Sequence, residues 1–269
     1  MRNIKLVATD MDGTLLTSKK KMPTGIIPLI KRLLDKNIVF VVSSGRFYHN
    51  LIRFYEEILD HIIIIAENGA LVIDKGEIVY RNVIKPDDVR EIIKEVRKIS
   101  GTKITLCGLN SGYIFANDVD EVLEEMSHNY FIKCKIIDTF DDIDLDEQIL
   151  KVGVSDDAFR AFETIHEGLA HLAHKYQVAI SGAEWADIMN VGVNKGVAIK
   201  AIQERYDISY EETMVFGDEH NDYEMMQRAY YSYAMANAIP DIKEVSNFIA
   251  PSNDEQGVIQ ILEKFLAIK

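Results

Sequence analysis

This 269-residue sequence has few cysteines and no long apolar run. Neither of its two cysteines, Cys107 and Cys134, lies in a CxxC pair, which argues against a disulfide framework or a structural zinc site and favours a reducing compartment. The longest strongly apolar run, residues 62–66, is far shorter than the roughly 20 residues that span a bilayer. No apolar run of signal-peptide length follows the N-terminal MRNIKLVATD. We therefore expect a cytoplasmic protein without a membrane segment.

Positive charge is also in short supply, because 30 basic side chains face 43 acidic ones and give a net charge of -13. Such a field repels nucleic acid and anionic membrane, so we expect neither as a partner. It would repel a phosphate-bearing substrate as well, which would then need a metal or a lysine at its site. The composition is otherwise that of an ordinary soluble protein, with 48% hydrophobic and 27% charged residues.

Short apolar segments alternate with helical patterns at the start of the chain. Residues 4–9, 39–42 and 62–66 are apolar runs typical of strands buried on both faces, and residues 23–36 and 47–59 have helical spacing between them. This alternation predicts right-handed crossovers and a parallel sheet. Ligands collect at the carboxyl ends of such strands.

The pattern changes in the middle of the chain. Residues 83–189 show adjacent strands with helices between the pairs, which is typical of an α+β module. The first pattern returns near Val193, with another buried strand at 213–216. The predicted fold is therefore α/β, with a Rossmann-like parallel-sheet core formed by residues 1–82 and 190–269 and an inserted α+β domain at 83–189.

The first candidate cluster is Asp10-Met11-Asp12-Gly13-Thr14, directly after the first strand. If the extended path continues, Asp10 and Asp12 point the same way and their carboxylates converge. Like charges at that distance repel unless a proton or a cation lies between them, and hard oxygen ligands suit Mg²⁺. A solvated turn is the alternative interpretation, because Asp and Gly are common in turns.

Two further candidates lie where a helix begins. Ser44-Gly45 offers a hydroxyl and backbone N–H groups that would cradle a phosphate, although Ser44 would equally serve as a helix cap. Lys195 faces the positive end of a helix macrodipole at a cost of about 0.3–1 kcal/mol. Such a lysine either has an anion nearby or is a surface residue that tolerates the penalty.

The last candidate is the acidic segment from Gly217 to Asp222, between a buried strand and a helix. Asp218 would reach a metal at the sheet edge, and Asp222 follows one helical turn later. Helix capping by Asn221 or an aspartate explains one of these acids but hardly all of them. Together the four clusters supply a carboxylate nucleophile and the charge neutralisation that phosphoryl transfer demands.

These motifs closely resemble those of the haloacid dehalogenase superfamily, and within it the Cof-type sugar-phosphatase branch. The resemblance spans nearly the whole chain and implies a parallel-sheet core with a large α+β cap that selects the substrate. It is carried by Asp10-Met11-Asp12-Gly13-Thr14-Leu15, Val42-Ser43-Ser44-Gly45-Arg46, Glu67-Asn68-Gly69-Ala70, Val193-Asn194-Lys195-Gly196 and Gly217-Asp218-Glu219-His220-Asn221-Asp222.

The resemblance implies a Mg²⁺-dependent phosphatase acting on small phosphorylated metabolites. Asp10 would attack phosphorus, and Asp12 would act as acid and then base. The metal would be held by Asp10, by Asp218 and by the backbone carbonyl of Asp12, while Asp222 would orient Lys195 or a metal-bound water. The phosphate would be held by Ser44, the backbone of Met11 and Gly45, Lys195 and Asn221.

Glu184 and Trp185 lie late in the insert, where the cap of this branch lowers a loop toward the site. A sugar would stack on Trp185 or hydrogen-bond to Glu184, and a packed tryptophan is the alternative. A phosphomutase or phosphotransferase shares these motifs, and a phospho-acceptor signalling domain uses similar groups. The sequence leaves the physiological substrate and the oligomeric state open.

Overall fold

The structure, a computed structural model, describes residues 3–120, 133–156 and 158–267. Its strands form two sheets. The first sheet contains β1 (Leu6–Thr9), β2 (Val39–Ser43), β3 (Ile63–Ala66), β4 (Leu71–Asp74), β5 (Glu77–Arg81), β12 (Thr213–Gly217), β13 (Tyr231–Met235) and β14 (Phe248–Ala250). The second sheet contains β6 (Thr102–Gly108), β7 (Gly112–Phe115), β8 (Cys134–Ile137), β9 (Ile149–Asp156), β10 (Tyr176–Gly182) and β11 (Trp185–Asn190).

The first sheet has the strand order β14-β13-β12-β1-β2-β3-β4-β5, and its six strands from β14 to β3 are parallel. Strand β4 returns antiparallel to β3. Each strand from β1 to β4 is buried almost throughout, as a sheet covered on both faces requires. The strands predicted at 4–9, 39–42, 62–66 and 213–216 are therefore confirmed, and the carboxyl ends of β1, β2, β3 and β12 lie at one edge.

The helices connect and cover these strands. The longest within the described residues begins at Lys195 and is capped by Asn194, whose side-chain oxygen accepts a hydrogen bond from the Val197 N–H at 2.8 Å. The α-helices in the part of the chain that the structure describes are Ile26–Leu34, Tyr48–Leu51, Pro86–Val96, Lys195–Tyr206, Tyr223–Met226, Pro240–Val245 and Gly257–Ala267. No helix within the described residues combines the length and the apolar character that crossing a membrane requires.

The predicted helix at 47–59 is wrong in length, because the α-helix covers only Tyr48–Leu51. A short 3₁₀ turn follows, and the chain then buries the ring of Tyr55 completely, with its hydroxyl 3.0 Å from the Met11 sulfur. Tertiary packing of Tyr55 therefore overrides the helical spacing of the sequence.

The chain divides into two compact units. The first unit comprises Met1–Ser44, Phe54–Val79 and Asn194–Lys269, and it holds the parallel strands. The second unit comprises Gly45–Arg53 and Tyr80–Val193. It is built on the second sheet, whose order is β10-β11-β9-β6-β7-β8, with the buried face of the helix Pro86–Val96 packed on its apolar core. The fold class is thus a parallel α/β core with an inserted α+β domain.

The segment Gly45–Arg53 belongs to the second unit, whereas the sequence analysis assigned it to the core. Three contacts explain the difference. Phe47 packs with Cys107, the His49 Nε2 lies 3.2 Å from the Leu109 carbonyl oxygen, and the Gly45 carbonyl oxygen accepts a hydrogen bond from the Lys151 Nζ. A segment that precedes the insert in sequence therefore packs with it.

Candidate active site

A buried lysine joins two aspartates in the first unit. The Nζ of Lys195 lies 2.7 Å from Asp10 Oδ1 and 2.7 Å from Asp222 Oδ1, and the lysine is 0% exposed. Asp10 directly follows β1, Asp222 follows β12, and Lys195 begins its helix. The neighbouring parallel strands β1 and β12 thus bring Asp10 and Asp222 to one edge, where the start of the helix adds Lys195, 185 positions from Asp10 in sequence.

Asp218 lies in the same cluster and is held by Thr14. The Thr14 hydroxyl donates a hydrogen bond to Asp218 Oδ1 at 2.6 Å. Gly13 leaves room for this contact, because a Cβ at Gly13 would lie 2.1 Å from Asp218 Oδ2. Gly13 also has a φ of 77°, which disfavours any other residue there.

Asp222 uses its second carboxylate oxygen to order the loop before it. Asp222 Oδ2 accepts hydrogen bonds from the backbone N–H groups of Asp218 at 2.9 Å and Glu219 at 3.2 Å. Its other oxygen accepts from Lys195. Since Asp222 is fully buried, these bonds replace the water that a carboxylate would otherwise hold. Asp222 thereby positions both Lys195 and the backbone of Asp218.

Acidic groups outnumber the lysine at this site. One carboxylate oxygen from each of Asp10, Asp218 and Asp222 lies within 4.8 Å of the others. Burial and the neighbouring acids raise the pKa of Asp10 to about 7, although Lys195 opposes the shift. Burial and the charges of Asp10 and Asp222 likewise raise the pKa of Asp218 to about 8. Burial alone would lower the pKa of Lys195, but the carboxylates of Asp10 and Asp222 raise it above its ordinary value.

This donor set fits a divalent cation. Three buried or largely buried carboxylates beside one ammonium group leave negative charge that a cation would neutralise. Hard oxygen ligands are those that Mg²⁺ prefers. Asp222 already holds Lys195 and two backbone N–H groups, so Asp10 and Asp218 are the side chains better placed to bind the ion.

The Asp12 carboxylate forms an ion pair with Lys20 at 2.8 Å, and its side chain is 30% exposed. The backbone leaves helical geometry at Asp12 and Gly13, with a ψ of 121° at Asp12. Asp12 is therefore more accessible than Asp10, which is almost fully buried. The two carboxylates of this segment therefore have different surroundings, one buried beside Lys195 and one partly exposed beside Lys20.

Ser44 and Asn221 lie beside the loop that follows β3. The Ser44 N–H donates to the Ile65 carbonyl at 2.9 Å, and the Ser44 carbonyl accepts from the Asn68 N–H at 3.1 Å. The Asn221 side-chain amide donates to the Asn68 side-chain oxygen at 3.0 Å. Asn68 thus fixes both Ser44, at the end of β2, and Asn221, in the loop after β12.

The remaining predicted site residues have structural contacts of their own. Met11 is buried against Tyr55, while Gly45 begins the second unit. In that unit, the Trp185 indole N–H donates to Asp187 Oδ1 at 2.9 Å, and the ring covers Gly153, where a Cβ would lie 2.6 Å from it. Glu184 is half-buried. Contact of Glu184 or Trp185 with a sugar stays a prediction.

The sequence analysis assigned no role to three residues that hold the site together, namely Thr14, Lys20 and Asn68. Thr14 lies in the motif that begins at Asp10, and Asn68 lies in the motif Glu67-Asn68-Gly69-Ala70. Membership of these motifs is the sequence signal that could have identified both residues. Asn68 has a φ of 54°, which an asparagine tolerates better than most residues. Lys20 carried no local signal, because its contact with Asp12 depends on how the intervening turn folds.

The chain is similar to known proteins over nearly its whole length. A family model described as haloacid dehalogenase-like hydrolase matches residues 7–262. The chain is 30% identical over 268 residues to the 5-amino-6-(5-phospho-D-ribitylamino)uracil phosphatase YbjI of Escherichia coli, covering 98% of this chain and 97% of that protein. It is 25% identical over 279 residues to the phosphatase of the same name, YitU, from Bacillus subtilis, covering 98% of each.

Solved structures share the fold. The crystal structure of SMU.1108c from Streptococcus mutans has a TM-score of 0.91 at 30% identity, covering 98% of this chain and 99% of that one. The subclass IIB sugar phosphatase BT4131 has a TM-score of 0.83 at 22% identity, covering 98% of this chain and 100% of that one. The resemblance inferred from the motifs is confirmed, and the chain belongs to the haloacid dehalogenase-like hydrolase family.

Proposed function

We propose that the protein is a Mg²⁺-dependent phosphatase that hydrolyses small phosphorylated metabolites through an aspartyl-phosphate at Asp10. The observation that supports this most is the buried Asp10–Lys195–Asp222 contact beside Asp218. It presents a carboxylate nucleophile next to a fixed ammonium group and an excess of acidic oxygens. A phosphoryl group brings negative charge, which such a site tolerates only with a cation.

In the first step, a carboxylate oxygen of Asp10 forms a bond to phosphorus while the bond from phosphorus to the leaving oxygen breaks. Asp12 gives that oxygen a proton, so the product departs as a neutral alcohol. Lys195 keeps Asp10 oriented and offsets the charge of the transferred group. Asp222 holds Lys195 in place throughout.

In the second step, the ionised Asp12 accepts a proton from a water molecule that attacks phosphorus. The bond between phosphorus and Asp10 breaks, which releases inorganic phosphate and restores both carboxyl groups. The partial exposure of Asp12 suits this role, because a base must meet the incoming water. The Ser44 hydroxyl, the Asn221 amide and the backbone N–H groups of Met11 and Gly45 would bind the phosphoryl oxygens.

The bound Mg²⁺ would be held by Asp10, Asp218 and the backbone carbonyl of Asp12, and it would supply charge neutralisation for the phosphoryl oxygens. Asp218 is fixed for this task by the Thr14 hydroxyl. A cytoplasmic location is part of the proposal, and the scarcity of cysteine, with Cys107 and Cys134 outside any CxxC pair, suits a reducing compartment.

The relatives suggest which substrates to try first. Two of them, at 30% and 25% identity over nearly the whole chain, are named as phosphatases of 5-amino-6-(5-phospho-D-ribitylamino)uracil. This compound carries its phosphate on a sugar alcohol, so it falls within the proposed class. We propose it as the first candidate, ahead of simple hexose phosphates.

The test is a screen of phosphorylated metabolites with and without Mg²⁺, using the full chain and its Asp10→Asn variant. We expect Mg²⁺-dependent phosphate release that Asp10→Asn abolishes, while Asp35→Asn, remote in sequence and exposed, retains it. Water labelled with heavy oxygen should label the released phosphate, which separates hydrolysis from transfer to another hydroxyl. Unchanged turnover in Asp10→Asn would falsify the assignment of the nucleophile.

A further inference from the structure

The strand β5 is an exposed edge. It ends the first sheet, after a turn at Lys75 and Gly76 whose φ values of 52° and 87° suit a two-residue hairpin. All five of its residues are exposed, including three large apolar side chains. Ile78 is 47% exposed, Val79 38% and Tyr80 40%. Proteins usually blunt such an edge, because its free backbone groups can pair with another strand.

The backbone of β5 has an outward-facing set of groups. In a two-residue hairpin, the residues that flank the turn are hydrogen-bonded to each other, so Glu77 directs its backbone N–H and C=O toward β4. Backbone groups alternate along a strand. Those of Ile78 and Tyr80 therefore point away from the sheet, where a further strand would bind.

The sequence of β5 is Glu-Ile-Val-Tyr-Arg, with an acidic residue at one end and a basic residue at the other. Two copies that run antiparallel therefore place opposite charges across from each other. We propose that β5 pairs antiparallel with β5 of a second copy of this chain, on a two-fold axis at Val79. In this register Glu77 lies opposite Arg81 of the second copy, and Arg81 lies opposite Glu77 of the second copy. Ile78 lies opposite Tyr80, and Val79 opposite Val79.

This register satisfies the backbone and the side chains together. The outward-facing N–H and C=O groups of Ile78 lie opposite those of Tyr80 in the second copy, and those of Tyr80 lie opposite those of Ile78 in the second copy. Each of these two pairs therefore exchanges two hydrogen bonds. The two Glu–Arg pairs flank the Val79 pair on one face of the joined sheet. The Ile–Tyr pairs lie on the other face, where cross-strand contacts between aromatic and branched side chains are stabilising.

Charge selects this pairing over the alternatives. A parallel arrangement in register would bring Glu77 near Glu77 and Arg81 near Arg81, which is unfavourable. An antiparallel register shifted by two residues would leave at least one charge of each copy opposite an apolar side chain. The interface also uses five residues from each copy, fewer than the roughly 20–30 of a standard interface, so we expect a weak dimer that forms only at high protein concentration.

The test is sedimentation of the full chain over a range of concentrations. The unmodified protein should show a monomer–dimer equilibrium. Glu77→Arg and Arg81→Glu should each weaken self-association by at least about tenfold, because each places like charges opposite one another twice. An equimolar mixture of the two variants should form a heterodimer, since one then carries only arginines and the other only glutamates at these positions.

The mixture is also the control for folding, because a misfolded variant would not regain association. The double variant Glu77→Arg/Arg81→Glu should dimerise like the unmodified protein, and turnover should be unchanged in all three. A monomeric unmodified protein at high concentration would overturn the proposal. Dimers that persist in both single variants, or single variants that fail to associate when mixed, would overturn it as well.

Discussion

Each of the two units buries a lysine, and the two lysines have opposite surroundings. Lys195, in the first unit, is 0% exposed and lies 2.7 Å from the carboxylates of Asp10 and Asp222. Lys151, in the second unit, is 3% exposed and lies 3.1 Å from Asp187. It also donates a hydrogen bond to the Gly45 carbonyl oxygen. At Lys195, two carboxylates contact one ammonium group. At Lys151, one carboxylate contacts the ammonium group and also accepts hydrogen bonds from other side chains.

The number of donors at each carboxylate explains the difference. Asp187 accepts from the Trp185 indole at 2.9 Å and from the Ser181 hydroxyl at 3.2 Å, in addition to its contact with Lys151. A buried carboxylate satisfied in this way is a structural group. Around Lys195, burial together with the neighbouring acids raises the pKa of Asp10 and Asp218. Perturbed acids of this kind are typical of a catalytic site.

The largest effect should come from Lys195→Met. Loss of the ammonium group leaves Asp10 and Asp222 repelling each other and removes the cation beside the transferred phosphoryl group. We expect kcat/KM to fall about 10³-fold or more, given that one oriented donor at a charged transition state is worth roughly 10²–10³. Steady-state phosphate release measures the effect, and Lys200→Met, exposed on the same helix, is the matched control.

A Lys195→Met variant that stays folded and keeps turnover within about tenfold of the unmodified protein would remove the proposed difference between the two lysines. Circular dichroism of both variants checks the fold.

Lys151→Met should act on stability. It removes the ammonium group from the buried Lys151–Asp187 pair, and breaking such a pair from one side costs about 3–5 kcal/mol. We expect a loss of this size in urea unfolding of the full chain. The double variant Lys151→Met/Asp187→Asn should recover part of it, because the carboxylate charge is gone while an amide oxygen can still accept from the Trp185 indole. Lys135→Met, at an exposed ion pair in the same unit, should change stability by less than about 1 kcal/mol.

If the double variant were less stable than Lys151→Met, the pair would not be the source of the loss, and the packing of Trp185 on Gly153 would be the better explanation.

The clustering of Asp10, Lys195 and Asp218 could be predicted from the sequence and the contact of Lys151 with Asp187 could not, for a physical reason. Asp10, Lys195 and Asp218 each lie next to a strand end or a helix start, so strand order alone brings them to one edge. Lys151 lies inside the apolar strand β9, where no turn or helix terminus marks it. Its partner Asp187 is on β11, and only the antiparallel register of the two strands places Asp187 opposite Gly153.

The hairpin of β4 and β5 was also missed. Leu71–Asp74 and Glu77–Arg81 are both rich in β-branched and aromatic residues, and Lys75-Gly76 between them is a turn signal. The turn gives only a weak sequence signal, because a lysine with a φ of 52° is uncommon. Asn-Gly or Asp-Gly is the usual signature of a two-residue hairpin turn.

Stability without metal should depend on pH through the acid cluster. The pKa values of Asp10 and Asp218 are raised to about 7 and about 8, above the ordinary 3.8 of an unfolded chain. Between the unfolded and folded pKa values, these two groups bind more protons in the folded protein than in the unfolded one, so their contribution to stability falls as the pH rises from about 4 to about 8. We expect Tm in a chelator to fall across this window, and Mg²⁺ to restore it most at the upper end.

The same experiment distinguishes the effects of variants in the two units. Asp218→Asn should flatten the slope of Tm against pH, whereas Lys151→Met should lower Tm with the slope retained. A Tm that rises across the window in the chelator would contradict the assigned direction of both pKa shifts.

The smallest expected effect is that of Thr14→Val, which removes the hydroxyl that holds Asp218 and preserves the shape of the side chain. Partners that orient a metal ligand are typically worth 10–100-fold in metal affinity, so we expect the Mg²⁺ concentration for half-maximal activity to rise about tenfold. Turnover at saturating Mg²⁺ should be nearly unchanged, because Thr14 acts only through Asp218. Thr17→Val is the control, since the Thr17 hydroxyl bonds only within its own exposed turn. A fall in saturated turnover with unchanged Mg²⁺ dependence would instead place Thr14 in the chemistry itself.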